Sequence, residues 1–367
     1  MAIDIRKFVD VKIKRAVPGR QLEYDTVIVF DPNGTNTPGY YGTVQKAGDG
    51  KTKATAKDIT TLVNGTAVNI KDWATIFVKN GGQYVHYLTS LSYNATTDRW
   101  YTGAGSTLEE IPFTEIVICA FGKIAGGTSD MPYGSGIQEK IILTGTAGNS
   151  ANIVPAEGVV QLGEATGNKP ELVVNATLAA YFTQININLA DTVRDCMFTR
   201  VICTEAEATN YAADYTTLDT ETYIPMTYFA NNYRLIGGND CLKNDIVNVW
   251  AKIVLTQVLT NTLVTLLTSK IRLNTAGVTS VKNCCTNVLS QFVTNGYIMT
   301  DKTWTDPDLY IDGNLVAGEN TPLVDGYTVY VGPILQDNIK NHQIPPVYIL
   351  YGDQVGVRKI VVTGEVF

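Results

Sequence analysis

Two hydrophobic periods run through the chain, one at each end. Between residues 3 and 14 the period is two: Ile3, Ile5, Val9, Val11 and Ile13 hold odd positions, and Asp4, Arg6, Asp10, Lys12 and Lys14 hold even ones. Only Lys7 and Phe8 interrupt the alternation. This predicts a β-strand with one buried face, whose partner lies in the same molecule or in a neighbour. From Asn244 the period lengthens. In IVNVWAKIVLTQVLTNTLVTLLTSKI, the residues Ile246, Val249, Trp250, Ile253, Val254, Leu259, Leu263, Leu266 and Leu267 recur largely at three- and four-residue steps. That spacing predicts a long helix burying one broad face. Asn244 and Asp245 are good N-cap types, and Lys270 and Arg272 follow where cations suit the helix dipole. At ~1.5 Å per residue such a helix reaches roughly 35 Å, enough to cross a membrane. Asn248, Lys252, Thr256, Gln257, Thr260, Asn261, Thr262 and Thr265 are scattered through it, and hydrocarbon disfavours that much polarity.

A second helix is expected from Thr275, its cap, through Val278, Val281, Cys284, Cys285, Val288, Leu289 and Phe292 to a left-handed stop at Asn295-Gly296. Strand-like runs follow at Tyr327–Val331, Val347–Tyr351 and Val357–Phe367, punctuated by Pro345-Pro346 and Gly352. Nearer the start, Thr26–Phe30 is apolar throughout, as in a strand covered on both faces. Ala56–Val63 is expected as a short helix and Lys71–Val78 as another, with Asn80-Gly81-Gly82 turning into a strand at Gln83–Leu88. From about residue 93 to 190 the composition shifts towards Gly, Thr and Asn. Short β-like runs occur there at Glu115–Phe121, Lys140–Thr144 and Val159–Leu162, closed by a helical or mixed segment, Ala176–Ala190. Cys196–Cys203 is expected as a buried core strand and Glu205–Tyr215 as a short surface helix.

The fold class expected from this order is α/β (α+β). A core domain is built from both chain ends (21–92 and 191–355), with a mostly-β outer domain inserted at 93–190. Extended strand arms at 1–20 and 356–367 complete the arrangement.

Composition narrows the function. The chain of 367 residues is 45% hydrophobic and 17% charged, which suits a globular core and is too apolar for disorder. A net charge of −7 speaks against a nucleic-acid groove, which wants clustered Lys and Arg. MAIDIRKFVD has no apolar h-region, so no signal peptide is expected. Cys119, Cys196, Cys203, Cys241, Cys284 and Cys285 show no CxxC spacing and read as reduced structural thiols. The sequons at Asn33, Asn64, Asn94 and Asn175 then read as polar turns.

Catalytic signatures fail one by one. GDGKT (Gly48–Thr52) ends like a phosphate-binding loop, but Gln45 stands where the first glycine belongs. YGSGIQ (Tyr133–Gln138) has two glycines of a dinucleotide fingerprint, with Glu139 where the third should be. Of the two histidines, His86 and His342, His86 sits inside an apolar strand and reads as a packed or interface residue, not a base or ligand, and a zinc site using His and Cys would have to be assembled from scattered singles. Asp306, Asp308 and Asp312 lack an EF-hand pattern and read as turn formers. No GxSxG occurs. The chain is therefore expected to be neither an enzyme nor a holder of cofactor or metal.

Two stretches carry a resemblance. LNTAGVTSVKNCCTNVLSQFVTNGYI, then Trp304, GYTVYVGPI and PPVYILYGDQVGVRKIVVTGEV resemble the C-terminal block of contractile tail-sheath proteins, the short phage branch above all. That family has a "T.AGV" helix start, an "NG" helix end and a "Gy.vy..pi" strand. FVKNGGQYVHYLT resembles the family's "F..NGG..vyv" passage from helix to core strand. One departure is the turn before the final strand, which reads Tyr351-Gly352-Asp353-Gln354-Val355 where the family has small residues.

The resemblance implies a subunit that polymerises into stacked rings around an inner tube and contracts to drive that tube through a host envelope, without ATP. It also implies a bacteriophage or phage-like particle, assembled in the host bacterial cytoplasm, with tail tube, baseplate and tail terminator proteins as partners. Neither nucleic-acid binding nor membrane insertion is expected. The inter-subunit contacts would be strand exchanges by the arms, through Ile3, Ile5, Lys7, Val9, Val11 and Ile13 at one end and Val357, Ile360, Val362 and Val366 at the other. The alternative is another virion or tail protein, such as a tail tube, or a β-rich binding module.

Overall fold

The computed structural model describes residues 22–43, 48–64, 69–94, 99–103, 109–121, 139–144, 157–162, 172–211 and 224–353. They fall into two compact units. One joins Glu23–Ile185 to Asp195–Trp250; the other joins Asn186–Arg194 to the chain from Ala251 onward.

The first unit is built on β1 (Thr26–Phe30), all five residues of which are buried. TVIVF offers no polar face to water, so it belongs inside a sheet covered on both sides. Chain order then brings β2 (Gly39–Gly42), β3 (Lys57–Asp58), the helix α1 (Ile70–Lys79) and β4 (Tyr84–Leu88). Next come β5 (Ser92–Asn94), β6 (Arg99–Thr102), β7 (Glu109–Glu110), β8 (Val117–Ala120), β9 (Ile141–Thr144) and β10 (Val159–Gln161). Seven of these form one sheet in the order β10-β9-β8-β1-β4-β2-β3. From β10 to β4 neighbouring strands are parallel, and β2 runs antiparallel to β4. The register sets Ile28 between His86 and Ile118. On that face Ile28, Phe30, Leu88, Ile118, Ala120 and Ile142 cluster with Leu91, Tyr93, Trp100 and Ile111, which lie in or beside the small antiparallel sheet β5-β6-β7.

Helix α1 packs with α2 (Leu172–Gln184), which is apolar nearly all round and buried accordingly, with only Tyr181 and Gln184 escaping. The Trp73 indole N–H donates to Asn175 Oδ1 at 2.9 Å, and Asn175 Nδ2 donates to the carbonyl of Leu143 at 3.3 Å. Asn175 is thus a buried cross-link between helix and sheet, not the polar turn its sequon suggested.

The unit closes with β11 (Arg200–Val201), α3 (Glu205–Tyr211), β12 (Met226–Phe229) and β13 (Asn232–Leu235), the strands forming an antiparallel sheet in the order β11-β13-β12. Helix α4 (Ile246–Thr268) starts at Asp245, whose Oδ1 accepts from the amides of Val247 (2.9 Å) and Asn248 (3.3 Å). Trp250 meets Tyr24 edge-on at 5.9 Å and stacks on Phe182 at 6.1 Å. Val247, Ala251 and Leu255 are buried alongside the predicted Ile246, Val249, Trp250, Ile253, Val254 and Leu259, so the first turns bury more than one face, whereas the predicted Leu263, Leu266 and Leu267 are only half-buried. By length and composition alone α4 is long and apolar enough to cross a membrane.

In the second unit α5 (Thr275–Thr294) is followed by β14 (Lys302–Thr303), β15 (Leu309–Ile311), β16 (Asn314–Ala317), β17 (Pro322–Leu323), β18 (Tyr327–Val331), α6 (Gln336–Asn341) and β19 (Val347–Tyr351). The strands pair antiparallel as β14-β17, β15-β16 and β18-β19. Residues 186–194 close the C-terminal end of α5. Asp191 N donates to Thr294 O at 3.1 Å, and Val193 N to Asn295 O at 3.0 Å, satisfying carbonyls that a helix end leaves open.

Several expectations need correction. The segment 93–190 is not a separate inserted domain: β8, β9 and β10 are strands of the main sheet, and β8 pairs directly with β1. Nor does a single core domain unite 21–92 with 191–355, because those residues divide between the two units. Ala56–Val63 is no α-helix. Lys57–Asp58 is a short strand, and Ile59–Thr61 is a 3-10 turn started by Asp58, which accepts from Thr60 N at 2.9 Å. A β-branched Ile-Thr-Thr run favours that outcome over a helix. In Cys196–Cys203 only Arg200–Val201 is strand; Phe198 stands at φ 65° and Ile202 is exposed. The helix expected at Ala176–Ala190 lies earlier and ends at Gln184. The cap of α5 is Asn274, one residue before the expected Thr275, its side chain accepting from Gly277 N at 3.0 Å.

Candidate assembly site

The ten residues assigned from the sequence to inter-subunit contacts, Ile3, Ile5, Lys7, Val9, Val11, Ile13, Val357, Ile360, Val362 and Val366, lie outside the described residues, as does the strand expected at 357–367. The structure does describe the sheet next to the point where the C-terminal segment departs.

That sheet is β18-β19, in register from Tyr327↔Tyr351 to Val331↔Val347. Period two divides its side chains between two faces. Tyr327, Val329 and Val331 share one face with Val347, Ile349 and Tyr351. From it the Tyr327 hydroxyl lies 2.7 Å from Ser290 Oγ and donates to Thr286 O at 3.4 Å, both on α5. The Tyr351 ring packs on Tyr297 at 5.7 Å, and Tyr297 on Phe292 at 6.1 Å. On the other face Tyr330 and Tyr348 lie 6.3 Å apart, and Asn314 Nδ2 donates to Tyr330 Oη at 2.9 Å. Tyr348 is exposed. Among the described residues neither outer edge of this two-stranded pair has a strand beside it. A pair of five-residue strands is marginal alone and gains from a third, and its open N–H and C=O rows are templates for one.

Past Tyr351 the situation changes. Gly352 N donates to Gly326 O at 2.9 Å on one flank, and Gly352 O accepts from Met299 N at 2.8 Å on the other. Ile298 and Asp353 form an antiparallel bridge. Lys302 Nζ pairs with the Asp353 carboxylate and donates to the Asp353 carbonyl at 3.2 Å.

The strongest chemistry-bearing cluster is in the first unit. His86, inside β4, places Nδ1 2.7 Å from Glu115 Oε2, and both side chains are at most 9% exposed. Tyr40 of β2 stacks on the His86 ring at 4.1 Å and donates to Glu115 Oε1 at 2.8 Å. Burial, and then the Glu115 carboxylate, hold the Tyr40 phenol well above its ordinary range. Lys140, also buried, donates to the backbone carbonyls of Glu115 and Pro112. Each partner satisfies another, as buried polar groups must. Of the two readings the sequence left for His86, packed or interface, the described residues show it packed, but Glu115, Tyr40 and Lys140 were missed. Their signal was present: Glu115 in IPFTEIVICAF is a lone charge at the start of an apolar run and Lys140 in QEKIIL is a charge abutting one, and such charges need partners when buried.

The remaining motifs resolve into structure. Asp49 in the GDGKT loop accepts from Lys51 N at 3.1 Å and from Thr55 Oγ1 at 3.0 Å, and a 3-10 turn, Lys53–Thr55, follows. A phosphate-binding loop instead leads into a helix N-terminus. Tyr133–Gln138 lies outside the described residues. Asp312 starts the β15-β16 turn at φ 51°, a turn role, whereas Asp308 accepts from Glu319 N at 2.8 Å and so ties together residues eleven apart. Among the described residues the six cysteines are free thiols. Burial, and then neighbouring Cys284, push the Cys285 thiol up to about 12.

Comparison with known proteins places the fold. No protein-family model matches the chain, and no curated protein matches it in sequence. Solved structures do match. A chain from the cryo-EM structure of the anti-feeding prophage baseplate, 6-fold symmetrised, is similar over 96% of each chain with a TM-score of 0.51 and 10% identity. A chain from the PVC sheath complex of an extracellular contractile injection system, in its contracted state, is similar over 98% of this chain and 97% of that one, with a TM-score of 0.50 and 12% identity. At these identities the likeness is one of fold alone.

Proposed function

We propose that this chain is the structural subunit of a contractile tail sheath, which polymerises into a helical cylinder around an inner tube and contracts to drive the tube through a host envelope. The observation that carries the reading is the fold shared, along almost the whole chain, with a chain of a contracted sheath complex. The glycine and Asn-Gly motifs of the C-terminal block, falling at helix ends and tight turns, support it. In this reading the partners are copies of the chain itself, the tail tube protein, and baseplate and tail terminator proteins. The protein works in a phage or phage-like particle. Energy comes from packing stored in the extended lattice, so no nucleotide is consumed and no catalytic residue is needed.

The arms supply the linkage. Residues 3–14 and 357–367 add as strands to the sheet edges of neighbours, with main-chain bonds giving affinity and alternate side chains giving register. Such a contact is heterologous and need not close, so one subunit type can build an open helix. Subunits can then reorient during contraction while remaining tied.

Negative-stain microscopy of the purified protein tests the reading. Long hollow cylinders are expected from the intact chain, and folded non-polymerising monomers from a chain lacking residues 1–14 or carrying Val11→Pro. Long tubes from the truncated chain would remove the arms as linkers. The likeness to a baseplate chain favours one alternative, a different tail structural protein, for which discrete small rings are expected.

A further inference from the structure

We propose that Lys302 anchors the root of the C-terminal segment and so sets the register in which that segment is donated; the proposal rests on the strand-exchange reading above. Three stretches of chain converge at the root with no side-chain spacer between them. Any Cβ on Gly352 would stand 2.8 Å from both Cβ and Cδ of Lys302, so the lysine stem lies flat across the Gly352 backbone. Its ammonium then reaches the carboxylate and carbonyl of Asp353. Gly326 is equally bare, since a Cβ there would meet Met299 O at 2.8 Å. Backbone hydrogen bonds hold Gly352 from both flanks, from Gly326 and from Met299. The contrast with β19 is what gives this joint its meaning. Val347–Tyr351 is held on one edge only among the described residues, whereas Gly352-Asp353 is held on both, by backbone and by Lys302.

A donated strand must enter the acceptor in one register, because a one-residue slip turns its apolar row to water. A two-residue slip keeps the faces and is not rejected on that ground. It is rejected only if the donor fixes the length from which the strand is paid out, and Asp353 is where that length begins. Lys302 therefore acts as a positioning residue. Its side chain is 37% exposed and that of Asp353 50%, so removing the pair leaves the unit folded.

The full-length chain serves for the test. In Lys302→Ala, hydrogen exchange at the Met299 and Gly352 amides should rise about fivefold, the ratio commanded by an exposed ion pair. Thermal unfolding should be nearly unchanged, and tubes should be absent or of mixed helical lattice. Lys302→Arg should restore both readouts, and Asp353→Asn should reproduce the defect if Lys302→Ala does not fold. Exchange at wild-type rates with a single wild-type lattice would overturn the anchor. A chain ending at Asp353 separates the two ideas. If it still forms tubes, strand donation fails, and the exchange rates alone decide whether Lys302 holds the root.

Discussion

Glu207 shows how one side chain can serve two elements. It accepts from Thr204 N at 2.7 Å, while Thr204 Oγ1 accepts from Glu207 N at 3.2 Å, a reciprocal cap on α3. The same carboxylate holds Lys79, the last residue of α1, at 2.8 Å. Burial works to raise its pKa, but the Lys79 hydrogen bond and the Thr204 amide outweigh burial and set it below the usual carboxylate value. A depressed folded-state pKa means stability that is present above the unfolded pKa and lost as pH falls through the folded one. Glu207→Gln should therefore lower stability at pH 7 by no more than about 1 kcal/mol, the pair being partly exposed. Urea unfolding at pH 7 and again near pH 3 checks this: the difference between variant and wild type should shrink in acid. Thr-x-x-Glu is legible in the sequence as a cap. The Lys79 contact is not, because it joins residues that only the fold brings together. The His86–Glu115 pair has the same limit. Each lone polar residue could be seen, but their pairing needs β4 and β8 to flank β1.

At the scale of elements, length and period decided what could be read. α4, α5, β1, β18 and β19 are long or strongly patterned, and they stand close to where their periods put them. Ala56–Val63 and Cys196–Cys203 were too short for period to outweigh local turn chemistry. The "AGV" of α5 has a steric cause. Gly277 sits in the first turn, and a Cβ there would lie 1.8 Å from Arg272 O, whose carbonyl also accepts from Asn274 N. Ala ordinarily gains about 1 kcal/mol over Gly inside a helix. Here the sign should reverse: Gly277→Ala is expected to cost roughly 1–3 kcal/mol by forcing the cap aside, as overpacking does. A lowered urea midpoint with an unchanged slope confirms it, and a raised midpoint refutes it.

For the molecule, the error in domain organisation came from reading composition as architecture. Gly/Thr-rich connections surround β8, β9 and β10, yet VICA and IILT are as buried as β1 itself. Parallel strands distant in sequence leave no local mark of their pairing. Deleting residues 93–190 behind a short Gly/Ser bridge should then yield insoluble protein, since it strips one side of β1 and takes away α2. A soluble, cooperatively unfolding deletion product would restore the outer-domain view.

That central sheet also imposes an order of events on synthesis. Val29 pairs on one side with Tyr87 and on the other with Cys119, and both pairings are parallel, so no hairpin can form either early. At roughly 5–20 residues per second, β1 waits on the order of 5–20 s after translation before β8 exists. Throughout that interval a buried-type strand, TVIVF, offers an unpaired edge to every other nascent chain. Productive folding is therefore a kinetic contest: the seven-stranded sheet must close within each chain before the open edge of β1 meets another one.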